Sequence, residues 1–143
     1  MTASPDERVH ASCVAIGGLA VLLAGPSGSG KSDLALRLID RGARLVSDDY
    51  TELLRVGGRL VARAPATIAG RIELRGVGII ALETETDVPI CLYADLAAAP
   101  PRLPEPEAMM LAGVGVPSIA LAALEPSAPL KLEYALVRFG LPL

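Results

Sequence analysis

The sequence predicts an α/β domain with a mixed, strand-rich sheet and few helices, organised around a phosphate-binding loop (P-loop). Three observations lead there. The apolar run 19–24 breaks directly into Gly25-Pro26-Ser27-Gly28-Ser29-Gly30-Lys31-Ser32, a complete match to G-x-x-x-x-G-K-[ST]. Only two segments place apolar residues at helical spacing, against a longer series of short apolar runs bounded by Gly, Pro and Asp. The runs also lack the strict β-α alternation that an all-parallel sheet requires, so strands of both directions are expected.

The elements follow in chain order. Runs 9–16 and 19–24 flank Gly17-Gly18, a pair suited to a tight hairpin turn. From Ser32, the residues Leu34, Ala35, Leu38 and Ile39 share one helical face and Gly42 sits where a left-handed cap belongs, which predicts a helix ending at Arg41. A buried strand over 43–47 leads into Asp48-Asp49, and 51–56 with 59–62 forms a second hairpin about Gly57-Gly58. Further apolar runs at 77–82, 88–94 and 115–124 read as strands, and P-P-R-L-P-E-P reads as an extended loop. A last helix is expected over 129–139, with Pro129 in its first turn and Gly140 beyond its end. There are no internal repeats.

With 143 residues, the chain is expected to be a single domain, 1–143. Apolar residues make up 52% and aromatic residues 3%, so the core is Leu, Val, Ile and Ala, and a bound base is met by aliphatic or backbone groups. A net charge of −3 argues against a nucleic-acid-binding surface and points to small molecules and proteins as partners. Cys13 and Cys91 stand far apart with no C-x-x-C, which reads as reduced thiols buried in strands of a cytoplasmic protein. G-G-L-A-V-L-L-A-G imitates a signal-peptide core, but Asp6 and Glu7 precede it and the P-loop follows, so it is expected to stay in the mature chain. No apolar run approaches the roughly 18 residues of a spanning helix, so no membrane association is expected.

The loop is the strongest chemical signal. Its glycines let backbone N–H groups face an anion, the following helix adds its positive end, Lys31 reaches the outer phosphates, and the Ser32 hydroxyl suits Mg²⁺. Asp48 and Asp49 offer one carboxylate to orient metal-bound water and one to accept a proton, or else an Asx turn that merely ends a strand. On an extended chain the two would point to opposite faces and could not share one job. His10, the only histidine, reads on its own as a surface or satisfied core residue. The stretch 73–80, E-L-R-G-V-G-I-I, is either a loop-to-strand turn or a carboxylate and an arginine brought near phosphates.

Together, His10, G-P-S-G-S-G-K-S, L-V-S-D-D and E-L-R-G-V-G-I-I resemble the catalytic domain of the HPr kinase/phosphorylase family, bacterial enzymes that phosphorylate a serine of the phosphocarrier protein HPr. A glycine loop is generic, whereas E-[IL]-R-G-x-G-I-I downstream of V-x-D-D is specific to that family. The resemblance extends over about residues 9–124 and implies a P-loop kinase-like catalytic domain without the family's N-terminal domain. It implies that residues 25–32, Lys31 included, bind ATP, that Ser32 and Glu73 bind Mg²⁺, that Asp49 accepts the serine proton, and that His10 belongs to the catalytic site; Asp48 is then left as the carboxylate that orients metal-bound water. Arg102, in P-P-R-L-P, resembles an active-site arginine of the family. HPr is the implied partner and a homo-oligomer, a hexamer, the implied assembly. The family's P-x-R-P-G-R-N-like segment, associated with the reverse reaction, is replaced by L-A-A-L-E-P-S-A-P-L-K, which leaves the kinase direction as the expected activity. A small-molecule kinase would need an arginine-rich lid, and 83–101 holds no arginine; a GTPase would need [NT]-K-x-D, which is absent. A non-catalytic ATP-sensing module would bind nucleotide and transfer nothing.

Overall fold

The structure is a computed structural model that describes residues 4–142. In chain order its elements are β1 (Glu7–Val9), β2 (Ala11–Ile16), β3 (Leu19–Ala24), α1 (Lys31–Asp40), β4 (Arg44–Ser47), β5 (Thr51–Val56), β6 (Arg59–Arg63), β7 (Arg71–Leu74), β8 (Gly78–Ala81), β9 (Val88–Asp95), β10 (Glu107–Leu111), β11 (Val114–Ala120) and α2 (Ala128–Phe139). The expected hairpins form: β2 pairs with β3 and β5 with β6, turning through the two glycine pairs. Helix α1 runs to Asp40 with Arg41 as its C-cap, one residue short of the expected end, and Gly42 follows with a φ of 110°.

The large sheet runs β1-β5-β6-β9-β3-β2-β4, with β11 and β10 joined at β9. One edge of β9 lies parallel to β3, while the other is divided between two partners. Val88 and Pro89 pair antiparallel with β6, and Tyr93, Ala94 and Asp95 pair parallel with β11, so the sheet forks at β9. The sheet is therefore mixed, as the strand pattern demanded.

Strand β3 is buried on both sides. Val21 and Leu23 pack with Leu34 and Leu38 of α1 and Leu132 of α2, whereas Ala20 and Leu22 pack with Leu53, Leu60 and Val116 under the other arm of the sheet. A strand covered on both faces reads as an unbroken apolar run. Each fully buried Leu contributes about 1.5–3 kcal/mol, and this anchors the loop that leaves the end of β3. Among the described residues no helix is long and apolar enough to cross a membrane.

The structure departs from the sequence reading in several places. The run 9–16 is two strands, because the chain bends at His10: β1 pairs with β5 and β2 with β3 and β4. The run 77–82 is one arm of a separate hairpin, β8 with β7. R-I-E-L has too few apolar residues to announce β7, of which only Ile72 is fully buried. Strand β10 also escaped the pattern, since an edge strand with four of its five residues exposed needs no apolar alternation. The last strand stops at Ala120, and the expected loop over the prolines is present. Cys13 and Cys91 are unpaired and buried, and burial pushes both thiols up.

Glu52 ties the sheet's outer strands. It is 8% exposed and accepts hydrogen bonds from Arg63 Nε at 2.8 Å and from an Arg8 guanidinium nitrogen at 3.0 Å. Burial pushes its carboxyl up, but the hydrogen bonds and charges of Arg63 and Arg8 outweigh burial and hold it below the usual glutamate value. A depressed carboxylate adds stability that is present above its unfolded pKa and lost as pH falls through the folded one. Glu52→Gln is expected to cost about 2 kcal/mol near neutral pH. Urea titrations should show the gap from wild type closing once pH drops below about 4.3, the ordinary glutamate value.

Candidate active site

The loop occupies the turn between the central strand β3 and α1. Two of its glycines have a local reason: a Cβ at Gly25 would lie 2.5 Å from Ser29 Oγ, and Gly30 has a φ of 95°, which side-chain-bearing residues rarely adopt. No side chain caps α1, so its first backbone N–H groups are left to face an anion. Lys31 is 5% exposed and folds back over the loop, donating to Gly25 O at 2.8 Å and Pro26 O at 3.1 Å. Its Nζ lies 3.6 Å from Asp49 Oδ1.

Asp48 follows β4 directly and is buried. Its Oδ1 accepts the Ser32 hydroxyl at 2.6 Å and the Ser12 hydroxyl at 3.2 Å, and its Oδ2 accepts the Glu73 backbone N–H at 3.0 Å. Asp49 has different partners. Its Oδ1 is 2.9 Å from His10 Nε2, and its N–H donates to Ser12 Oγ at 3.0 Å. Stacked against the imidazole is Tyr50, with ring centroids 4.8 Å apart.

Topology explains the meeting of His10 and Asp49. Val9 pairs with Thr51 and Cys13 with Ser47, so both chains change partner at the same place and the bend at His10 faces the bend at 48–50. Asp49 has φ 67°, and Tyr50 N–H donates to Asp48 O at 2.7 Å, an i to i+2 turn in a backbone region that costs about 1–3 kcal/mol. The expectation of strand alternation is thereby corrected. The strand ends at Ser47, and the two carboxylates, though separate in their partners, serve adjacent residues of one loop, Asp48 through Ser32 and Asp49 through Lys31.

The remaining residues divide. Glu73 sits on β7 with its backbone on Asp48 and its side chain toward solvent, and Arg75 is in the β7–β8 turn. Arg102 stands apart, exposed on the proline-rich loop beside β11 and α2. Ser12 and Tyr50 are site residues that the sequence reading missed. The only signal for Ser12 was a lone hydroxyl inside A-S-C-V-A, two residues after His10. Among the described residues no three His, Cys, Asp or Glu side chains cluster as a metal cage. The Ser32 hydroxyl against the Asp48 carboxylate is nonetheless a hard oxygen pair, which fits Mg²⁺, an ion that takes few protein ligands and keeps its waters.

Removing the Ser12 hydroxyl would leave the Asp49 N–H unpaired and take one donor from Asp48. Ser12→Ala is expected to destabilise the protein by about 1–3 kcal/mol, measured by urea unfolding, with faster amide exchange at Asp49.

Residues 2–86 match the HPr Serine kinase C-terminal domain family. That stretch holds His10, the loop, Asp48, Asp49 and Glu73, and stops before Arg102. An HPr kinase/phosphorylase of Clostridium beijerinckii is 43% identical over 81 residues, 57% of this chain and 27% of that protein. One from Clostridium acetobutylicum is 46% identical over 77 residues, 54% of this chain and 25% of that protein. The matches thus span about a quarter of the length of these curated relatives. The fold is similar to the solved structure of the HPr(Ser) kinase/phosphatase from Coxiella burnetii, with a TM-score of 0.79 and 29% identity, over 92% of this chain and 94% of that one.

Proposed function

Since this chain belongs to the HPr serine kinase C-terminal domain family, we propose that it transfers the γ-phosphoryl group of ATP to a serine hydroxyl of the phosphocarrier protein HPr. The observation that carries this reading is the Asp49 carboxylate, set between His10 Nε2 at 2.9 Å and Lys31 Nζ at 3.6 Å at the mouth of the loop. A phosphoryl transfer site needs positioning, charge neutralisation and one base, and the loop with its flanking acids supplies each.

In this P-loop kinase-like reading, residues 25–32 cradle the phosphates and Lys31 exchanges its contacts to Gly25 O and Pro26 O for phosphate oxygens. The serine oxygen attacks the γ-phosphorus, its proton passes to Asp49, and the bond to the bridging oxygen of ADP breaks. His10 positions Asp49 and is itself held by Tyr50. Ser32, Asp48 and Glu73 would hold Mg²⁺, which when bound neutralises charge on the phosphate oxygens. Two unpaired buried thiols suit a reducing cytoplasm. A hexameric assembly rests on the family resemblance alone.

The test separates the two carboxylates. Asn tolerates the positive φ at position 49, so Asp49→Asn is expected to keep MgATP binding near wild type while transfer to HPr falls by about 10² to 10⁴. Asp48→Asn is expected to raise the Mg²⁺ requirement instead. Calorimetry with MgATP and single-turnover transfer at two Mg²⁺ concentrations distinguish the outcomes, and transfer unchanged in both variants would overturn the reading. For Arg102 the resemblance implies contact with the transferring group. Arg102→Lys is then expected to lose most of the rate, because lysine cannot reproduce the planar fork. Wild-type rates would return Arg102 to its loop.

A further inference from the structure

The proline-rich loop, the end of β11 and α2 enclose an open cavity of about 480 Å³, within the range of small-molecule sites. Its lining is mostly apolar and includes Leu121 and Phe139, with Tyr134 at its border. Three cations also line it, Arg102, Lys131 and Arg138, and no Asp or Glu among the described residues does. Lys131 is already balanced by Glu125 at 2.9 Å. Arg138 lies 5.4 Å from the centre of the Phe139 ring, and among the described residues neither it nor Arg102 has a carboxylate partner.

Acids outnumber Lys and Arg by 16 to 13, so carboxylates are in surplus, yet none of them lies in the cavity's lining among the described residues. Two guanidiniums left without acids beside one apolar cavity form a surface complementary to an anion. The apolar lining selects among anions. A sugar phosphate needs partners for its hydroxyls, and the lining offers few neutral polar side chains beyond the Tyr134 hydroxyl. An anion with an apolar body fills the cavity with its hydrocarbon or ring and places its charge on the arginines.

We propose that this cavity binds a small anion with an apolar body, such as an aromatic or aliphatic carboxylate or sulfonate. The cavity's lining includes none of the loop residues 25–32, Asp48 or Asp49, and the proposal stands on Arg138 whether or not Arg102 serves the kinase reaction. The probe is 8-anilinonaphthalene-1-sulfonate, titrated by fluorescence into the folded full chain in the absence of nucleotide. One saturable site is expected, with neutral N-phenyl-1-naphthylamine binding at least about tenfold more weakly, the worth of one charge-assisted contact. Arg138→Gln, an exposed position, should weaken the sulfonate by a similar factor and leave the neutral dye unchanged. On the wild-type chain, amide chemical shifts should move across 134–139 and 119–122 when the sulfonate is added, which keeps the test valid if the variant fails to fold. Equal affinity for both dyes, shifts elsewhere, displacement by inorganic phosphate, or no binding would each overturn the proposal.

Discussion

The buried carboxylate of Asp48 is the contact on which the rest of the site depends. It receives Ser12 from β2, Ser32 from α1 and the backbone of Glu73 from β7, so one side chain past the end of β4 joins a sheet, a helix and a separate hairpin. Hydrogen bonds to an ionised acceptor in a low-dielectric setting are roughly twice as strong as neutral ones. Helix α1 has no side-chain cap of its own, and its first turn is instead tied to the sheet through Ser32. The orientation of the loop relative to the sheet therefore follows from Asp48, as does the docking of β7, whose Ile72 closes the core over α1.

Much of this was legible in the sequence because local chemistry decides it. Paired glycines at 17–18 and 57–58 dictate tight turns, the glycine loop dictates its own conformation, and the apolar face of α1 is written at 34, 35 and 38. What escaped is non-local or belongs to edges. Strands β7 and β10 bury little and need no apolar pattern. The partnership of His10 with Asp49 joins residues 39 apart and exists only because β1 and β2 pair with different strands. Alternation failed at Asp48-Asp49 for a specific reason: it applies to extended backbone, and Asp49 has a φ of 67°.

That positive φ also gives Asp49 its place. A residue continuing β4 would lie along the sheet, toward β2 or away from it. The tight turn instead lifts the carboxylate to the mouth of the loop, where it stands half exposed between an imidazole and an ammonium. Lys31, by contrast, is buried and donates to two loop carbonyls. In the proposed kinase reading, a phosphate would take over Lys31 without disturbing the contact between His10 and Asp49. The proposed roles, binding and proton transfer, thus fall to neighbouring groups with separate supports, Lys31 and Ser32 on the helix and Asp49 on a strained turn braced by Ser12, His10 and Tyr50. Strain of this kind persists only where surrounding contacts over-determine it. Here the bracing comes from β2 and from the bend before it, the one place where the strand pattern of the sequence is interrupted by its only histidine.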